Sequence, residues 1–425
     1  MSISSVSNGV HPYMRRLQAC QLLDIRFVLA LLIAAFLTTA CSKGSSAPPP
    51  SSGISVLAGE SRVTVTWDAT AGVEYWLFYG PASSISTSNW TSISGSNVIV
   101  NAVSPQVVSG LVNGVTYSFT LNGRTKGGPG GEGTPSVSAT PRIAGAVWSA
   151  GSPLSSSDLR AIMMGTVYVA AGAGGVMYSS SDGATWAPIN YTTTNSLYGA
   201  VYSGAYMAVG AGGAMLYSTD AVTWASEPTG TTNNLYAIAS NNASLVVAVG
   251  ANGTIINSAD GKTWYAAVNS GTTNDLYGVA YSTYNGGRWL AAGAGGTIVT
   301  STDGTNWQTV TSNTTADLKG IAYGYSDVTL GTTAFVAVGA AGTVVTSADG
   351  MAWTSQTPLS TRALNAVTYG LQFVSVGENG VIFTSTNGTS WTAQPSNVAS
   401  GLYGIVHSGI GYSVVGAGGT NLFSQ

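Results

Sequence analysis

Seven tryptophans, Trp148, Trp186, Trp224, Trp264, Trp307, Trp353 and Trp391, are each followed eleven or twelve residues later by a leucine. These leucines are Leu159, Leu197, Leu235, Leu276, Leu318, Leu364 and Leu402. Successive tryptophans stand 38 to 46 residues apart, a period that confines the fold to stacked or circular repeats. Within each period, Val, Ile, Tyr and Ala fall in short runs separated by Gly, Thr and Asn. That is strand and turn chemistry, so helical arrays are excluded and the blades of a β-propeller are left.

One unit shows the logic. Leu276 to Tyr281 is expected to be the innermost strand, with small residues suited to a crowded centre. Trp289 to Ala292 and Thr297 to Thr300 are the next two, joined by Gly293-Ala294-Gly295-Gly296, whose glycines permit a tight reversal. The turn from Ser301 through Asp303 and Gly304 leads to Trp307 and the outer strand. Trp148 has no strands of its own upstream, and the last unit stops at Phe423 without a tryptophan. Pairing Val147-Trp148 beside Gly411 to Phe423 would complete a seventh blade and close the ring without free edges. An open solenoid is the alternative, but it would end in a cap rather than a fragment.

The turn Ser-x-Asp-Gly before six of the seven tryptophans resembles the Asp-box (BNR-type) of sialidase-like propellers, Ser-x-Asp-x-Gly-x-Thr-Trp, with one residue fewer between Asp and Trp. Its copies centre on Asp182, Asp220, Asp260, Asp303 and Asp349, with Asn387 as a sixth and Ala221 in place of glycine in the second. The resemblance implies a structural role for these residues, away from any ligand. It also raises sialidase chemistry, which needs three arginines around a carboxylate, a tyrosine activated by a glutamate, and an acid. Arg160, Arg288 and Arg362 supply the count, but the repeats hold only Glu227 and Glu378, and no Arg-Ile-Pro precedes the first box. The repeats also resemble a thylakoid photosystem assembly factor; that family relies on an arginine patch absent here.

Residues 54–142 alternate in strands about ten residues apart, with Val63, Val65 and Trp67 on one face. Trp67, the run from Leu111 through Asn113-Gly114 to Tyr117, and Thr134-Pro135-Ser136 resemble a fibronectin type III domain. The resemblance implies a β-sandwich with Tyr117 at the tyrosine corner. The Arg124–Glu132 loop carries no Arg-Gly-Asp, so the expected role is a spacer. The fold class is thus all-β, a fibronectin type III sandwich followed by a seven-bladed propeller over 143–425.

Phe27 to Leu37 is an apolar run of eleven behind Arg15, Arg16 and Arg26, with the shape of a signal-peptide core rather than a membrane span. Leu37-Thr38-Thr39-Ala40-Cys41-Ser42 resembles the lipobox of bacterial lipoproteins, departing from it at Thr38. It implies removal of 1–40, lipidation of Cys41 and a membrane anchor. Ser42 favours the outer membrane or cell surface. Ser/Pro-rich residues 41–53 are expected to be a flexible tether, and Cys20 falls in the removed segment.

Charged residues are only 7% of the chain, net charge is −3, and Lys and Arg total 13, so no basic surface exists for nucleic acid. His11 and His407 are the only histidines, which argues against a zinc site; no metal or other cofactor is expected. No Gly-x-Ser-x-Gly elbow pairs with His407. Asp158, Asp275 and Asp317 each precede a repeat leucine and should cap loops on one face.

What is left is binding. The residues after the repeat leucines, Arg160, Tyr198, Tyr236, Tyr277, Lys319, Asn365 and Tyr403, should ring the mouth of the central channel. Four tyrosines with Arg, Lys and Asn suit a sugar or a peptide. The Thr- and Asn-rich loops from Thr192 to Ser196, Thr229 to Asn234, Ser270 to Asp275 and Thr311 to Asp317 lead into that mouth. The expected function is a non-catalytic, membrane-anchored surface module that binds a glycan or a protein. An envelope assembly or scaffold factor is the alternative, ahead of a glycosidase.

Overall fold

The computed structural model describes residues 44–191, 193–327, 331–409 and 411–424. The expected leader and the lipidation at Cys41 lie outside the described residues. The chain divides into two compact units, one drawn from residues up to Ala139 and one from Thr140 onward. Ala58–Val63 and Ser109–Gly114 group with the second.

In the first unit, strand Tyr117–Thr125 pairs with Glu74–Gly80, which pairs in turn with Asn97–Ala102. A second sheet joins Ser55–Gly59, Arg62–Thr66 and Gln106–Ser109. Val63 and Val65 are fully buried and Trp67 nearly so, as their alternation requires, and Leu77, Phe119 and Leu121 are buried too. The expected flexible tether needs correction, because Ser45, Ser46 and Ala47 pair with Thr125, Arg124 and Gly123. Val137–Ala139 covers only Tyr117, Ser118 and Phe119 of the same strand edge. The far end of that edge has N–H and C=O groups to satisfy, and the chain nearest to hand does so.

The second unit holds seven four-stranded sheets among the described residues. Their inner strands are Leu159–Met164, Leu197–Tyr202, Leu235–Ser240, Leu276–Ser282, Leu318–Asp327, Leu364–Tyr369 and Leu402–His407. Each touches the next and the last touches the first, which closes the ring. All seven leading leucines have no exposed surface, each stabilising the fold by roughly 2 kcal/mol through burial. Between blades the packing is apolar: Ala161, Met163 and Met177 of the first meet Leu197, Tyr206 and Trp224 of the second. Close approach at the centre explains the small residues there; a Cβ on Gly199 would lie 2.8 Å from Ala237 Cα.

The closing strand differs by a step from the expected one. Ser149–Ala150, rather than Val147-Trp148, pairs with Phe423 and Leu422. Trp148 is buried, its indole Nε1 donating to Gly145 O at 2.8 Å, so the strand starts after it, as after Trp186, Trp224 and Trp264.

Two turns repeat in the blades. Ala294–Gly296 reverses the chain with Gly295 and Gly296 at φ 60° and 74°, and a Cβ on Gly296 would collide with Thr314 O. The other turn is held by side chains. Ser301 Oγ accepts from Gly304 N at 2.8 Å, while Asp303 Oδ1 accepts from Thr305 N and Asn306 N, both at 2.8 Å. Trp307 Nε1 then donates to Gly304 O at 3.1 Å. Asp182, Asp220, Asp260, Asp349 and Asn387 make the same amide contacts in their blades. Ser301 pairs with Trp289, and Trp289 in turn with Tyr281, which puts this turn at the end of the blade opposite Leu276.

Candidate functional site

In every blade the pairing of the inner strand slips by one residue directly after its leucine, as between Leu197 and Gly199 or Leu318 and Gly320. A bulge of this kind leaves one residue out of the ladder and re-aims its side chain. The residues at the slips are Arg160, Tyr198, Tyr236, Tyr277, Lys319, Asn365 and Tyr403. All seven line a single cavity of about 470 Å³ at one mouth of the channel, with Asn234 and Asp317 beside them.

The ring is knit together side chain to side chain. Tyr198 and Tyr236 have centroids 5.8 Å apart, and Tyr236 and Tyr277 5.5 Å. The Arg160 guanidinium lies 5.3 Å from the centre of Tyr403 and 6.0 Å from that of Tyr198, within cation–π range. Lys319 Nζ donates to Asn365 Oδ1 at 3.1 Å, and Asn365 Nδ2 donates to Leu402 O at 2.9 Å.

The carboxylates behind the ring cap turns of the preceding blade. Asp158, Asp275 and Asp317 accept through Oδ1 from the backbone N–H of Gly418, Asn252 and Gly295, at 3.2, 2.8 and 2.8 Å. Asp158 Oδ2 also pairs with Arg160 at 3.1 Å. Burial, and then the charges of Asp275 and Asp317, push the Tyr277 hydroxyl above its ordinary range.

The residues weighed for hydrolysis do not converge. Arg160 stands at the mouth, whereas Arg288 pairs opposite Ser282 at the far end of its blade and donates to Thr300 Oγ1 at 3.2 Å. His407 closes an inner strand and packs on Tyr412, ring centres 4.8 Å apart. Burial lowers its pKa and favours the neutral imidazole. Among the described residues, no group of three or more His, Cys, Asp or Glu is placed to hold a metal.

Sequence reasoning missed the other mouth, where Met164, Tyr202, Tyr281, Tyr323 and Tyr369 help line a cavity of about 420 Å³. The signal was present, since each stands five residues after its leucine. These tyrosines pack on aromatic partners within their blades, Tyr202 on Tyr206 and Tyr281 on Trp289 at 4.8 Å, and Tyr369 on Phe373 at 4.7 Å. That ties them to blade packing.

Closed sheets around a lined channel make this unit a β-propeller. No family model and no curated protein matches the chain. Solved structures do. YCF48 bound to D1 peptide has a TM-score of 0.54 and 18% identity, over 66% of this chain and 99% of that one. The WD40 β-propeller domain of Doa1 has a TM-score of 0.50 and 13% identity, over 66% and 97%. At such identities the likeness establishes the fold alone.

Proposed function

We propose that this protein is a non-catalytic binding module of the cell envelope, exported and lipid-anchored through Cys41, whose propeller takes a peptide segment of a protein partner at the tyrosine-lined mouth. The observation that carries the reading is the convergence of seven bulge residues on one cavity. A buried leucine precedes each bulge and holds the blade, so the side chain after it is free to serve the mouth. Tyrosine and arginine offer large contact areas with polar ends, the composition that dominates protein recognition surfaces.

A peptide is favoured over a sugar on two grounds. The neighbouring tyrosine planes are tilted by 45° and 50°, so they form clefts for side chains rather than a flat platform. The similar propeller YCF48 is bound to a peptide. Absence of catalysis is supported by the separation of Arg160 from Arg288 and by the commitment of Asp158, Asp275 and Asp317 to turn amides.

For the first unit, the sheet orders support a fibronectin type III fold, to which we assign the role of a spacer. The amide contacts of Asp303 and its counterparts support the Asp-box reading, with a structural role.

The test is to screen the full-length protein in detergent against a peptide library and a glycan array. Peptide hits weakened about tenfold or more by Tyr236→Ala and Tyr277→Ala support the reading. Glycan hits lost in the same variants would replace peptide by sugar at the same ring. Hits that survive both substitutions would remove the ring from the function.

A further inference from the structure

Ala363 and Gly401 aside, the residue ahead of each repeat leucine accepts a side-chain hydrogen bond from the turn of the preceding blade. Ser196 does this with Oγ, for Gly174 N at 3.1 Å, and Asn234 with Oδ1, for Gly212 N at 2.9 Å. Neither carries charge. The negative charges of Asp275 and Asp317 therefore exceed what the turn requires, and the fold gives no reason for them.

Their setting does. Asp317 is exposed, lines the mouth, and uses Oδ1 for Gly295 N, a bond in which Oδ2 takes no part. Tyr236 and Tyr277 stand beside it with ring centres 5.5 Å apart. Both carboxylates are close enough to act on the Tyr277 hydroxyl. The two cations of the ring are turned elsewhere: Arg160 is paired with Asp158 at 3.1 Å, and Lys319 donates to Asn365 on the next blade. Among the described residues, this sector thus offers negative aromatic faces and a carboxylate with no cation paired to either.

We propose that the sector formed by Tyr236, Tyr277 and Asp317 receives a cationic side chain, arginine or lysine, of the partner peptide. The inference rests on the peptide-binding reading above. The cation lies over a tyrosine face, where the ring quadrupole attracts it, and its N–H groups donate to Asp317 Oδ2. Arginine suits the site better, because a planar guanidinium can stack and donate at once.

Peptides selected from a phage-displayed library on the full-length protein provide the test, with Asp317→Asn as the probe. Asn234 already performs the same capping with an amide, so this variant keeps the turn, and an unchanged Tm verifies that it does. Peptides whose binding is lost with Tyr236→Ala should share an arginine or lysine at a fixed place. Replacing that residue with norleucine, or Asp317 with Asn, should weaken binding about tenfold each, and together by little more than either alone. Ring-dependent peptides without a fixed basic residue, or equal binding to Asp317→Asn, would overturn the inference and leave the peptide-binding reading standing. Selection of no ring-dependent peptide would overturn both.

Discussion

Arg160 lies 5.3 Å over the ring of Tyr403, and so joins the inner strand of the first blade to that of the last. The contact stands at the mouth of the channel, with Tyr403 on the inner strand of the blade whose outer strand, Ser149–Ala150, pairs with Leu422 and Phe423. The mouth is therefore a closed circuit of side chains built on a closed circuit of strands.

Because the ring residues project from bulges and the preceding leucines hold the blades, their loss should cost binding and spare the fold. Tyr236→Ala with Tyr277→Ala should change Tm by no more than a few degrees. Leu318→Ala, by contrast, empties a fully buried site and should destabilise the protein by about 2–5 kcal/mol. Thermal melts of both variants separate the two roles.

The reversal between the second and third strands tolerates some residues and not others. Asn252 and Asn379 occupy the place of Gly295 at φ 55° and 56°, so Gly295→Asn should melt within a few degrees of wild type. Gly296→Ala should melt well below it, since its Cβ would meet Thr314 O at a positive φ. Equal melting of the two would show that the turn is not held as described.

Acid should act through the side-chain-held turns. The N–H groups of Thr223 and Val222 bring the Asp220 carboxyl down to about 2, and the same contacts lower Asp182, Asp260, Asp303 and Asp349. A depressed folded-state pKa means stability present above the ordinary value near ~4 and lost as pH falls through the folded value. Denaturant midpoints should thus drop between pH 4 and pH 2. Asn387 shows that an amide can take the position, so Asp220→Asn should shrink that drop. An unchanged drop would place the acid sensitivity elsewhere.

How much of this was legible follows from what repeats. The Trp-to-Leu spacing set the register of every inner strand, so the residues at the mouth could be named from their leucines. The bulge that re-aims them could not, because a slip in pairing depends on the partner strand as well as on the residue itself. Ser45–Ala47 was unreadable as a strand for a related reason. Nothing in Ser-Ser-Ala alternates; its pairing comes from an edge left open by the shortness of Val137–Ala139. The caps made by Asp158, Asp275 and Asp317 were anticipated, yet their proximity to Tyr277 and the mouth emerges only when adjacent blades meet.

The most direct measurement places a photo-reactive benzoylphenylalanine at Tyr236 of the full-length protein in living cells. Val222, 74% exposed in the turn of the second blade, serves as the control site. A protein partner taken at the mouth should give a discrete crosslinked species from position 236 that is absent from position 222. No adduct from 236, or the same adducts from both positions, would contradict recognition through the ring.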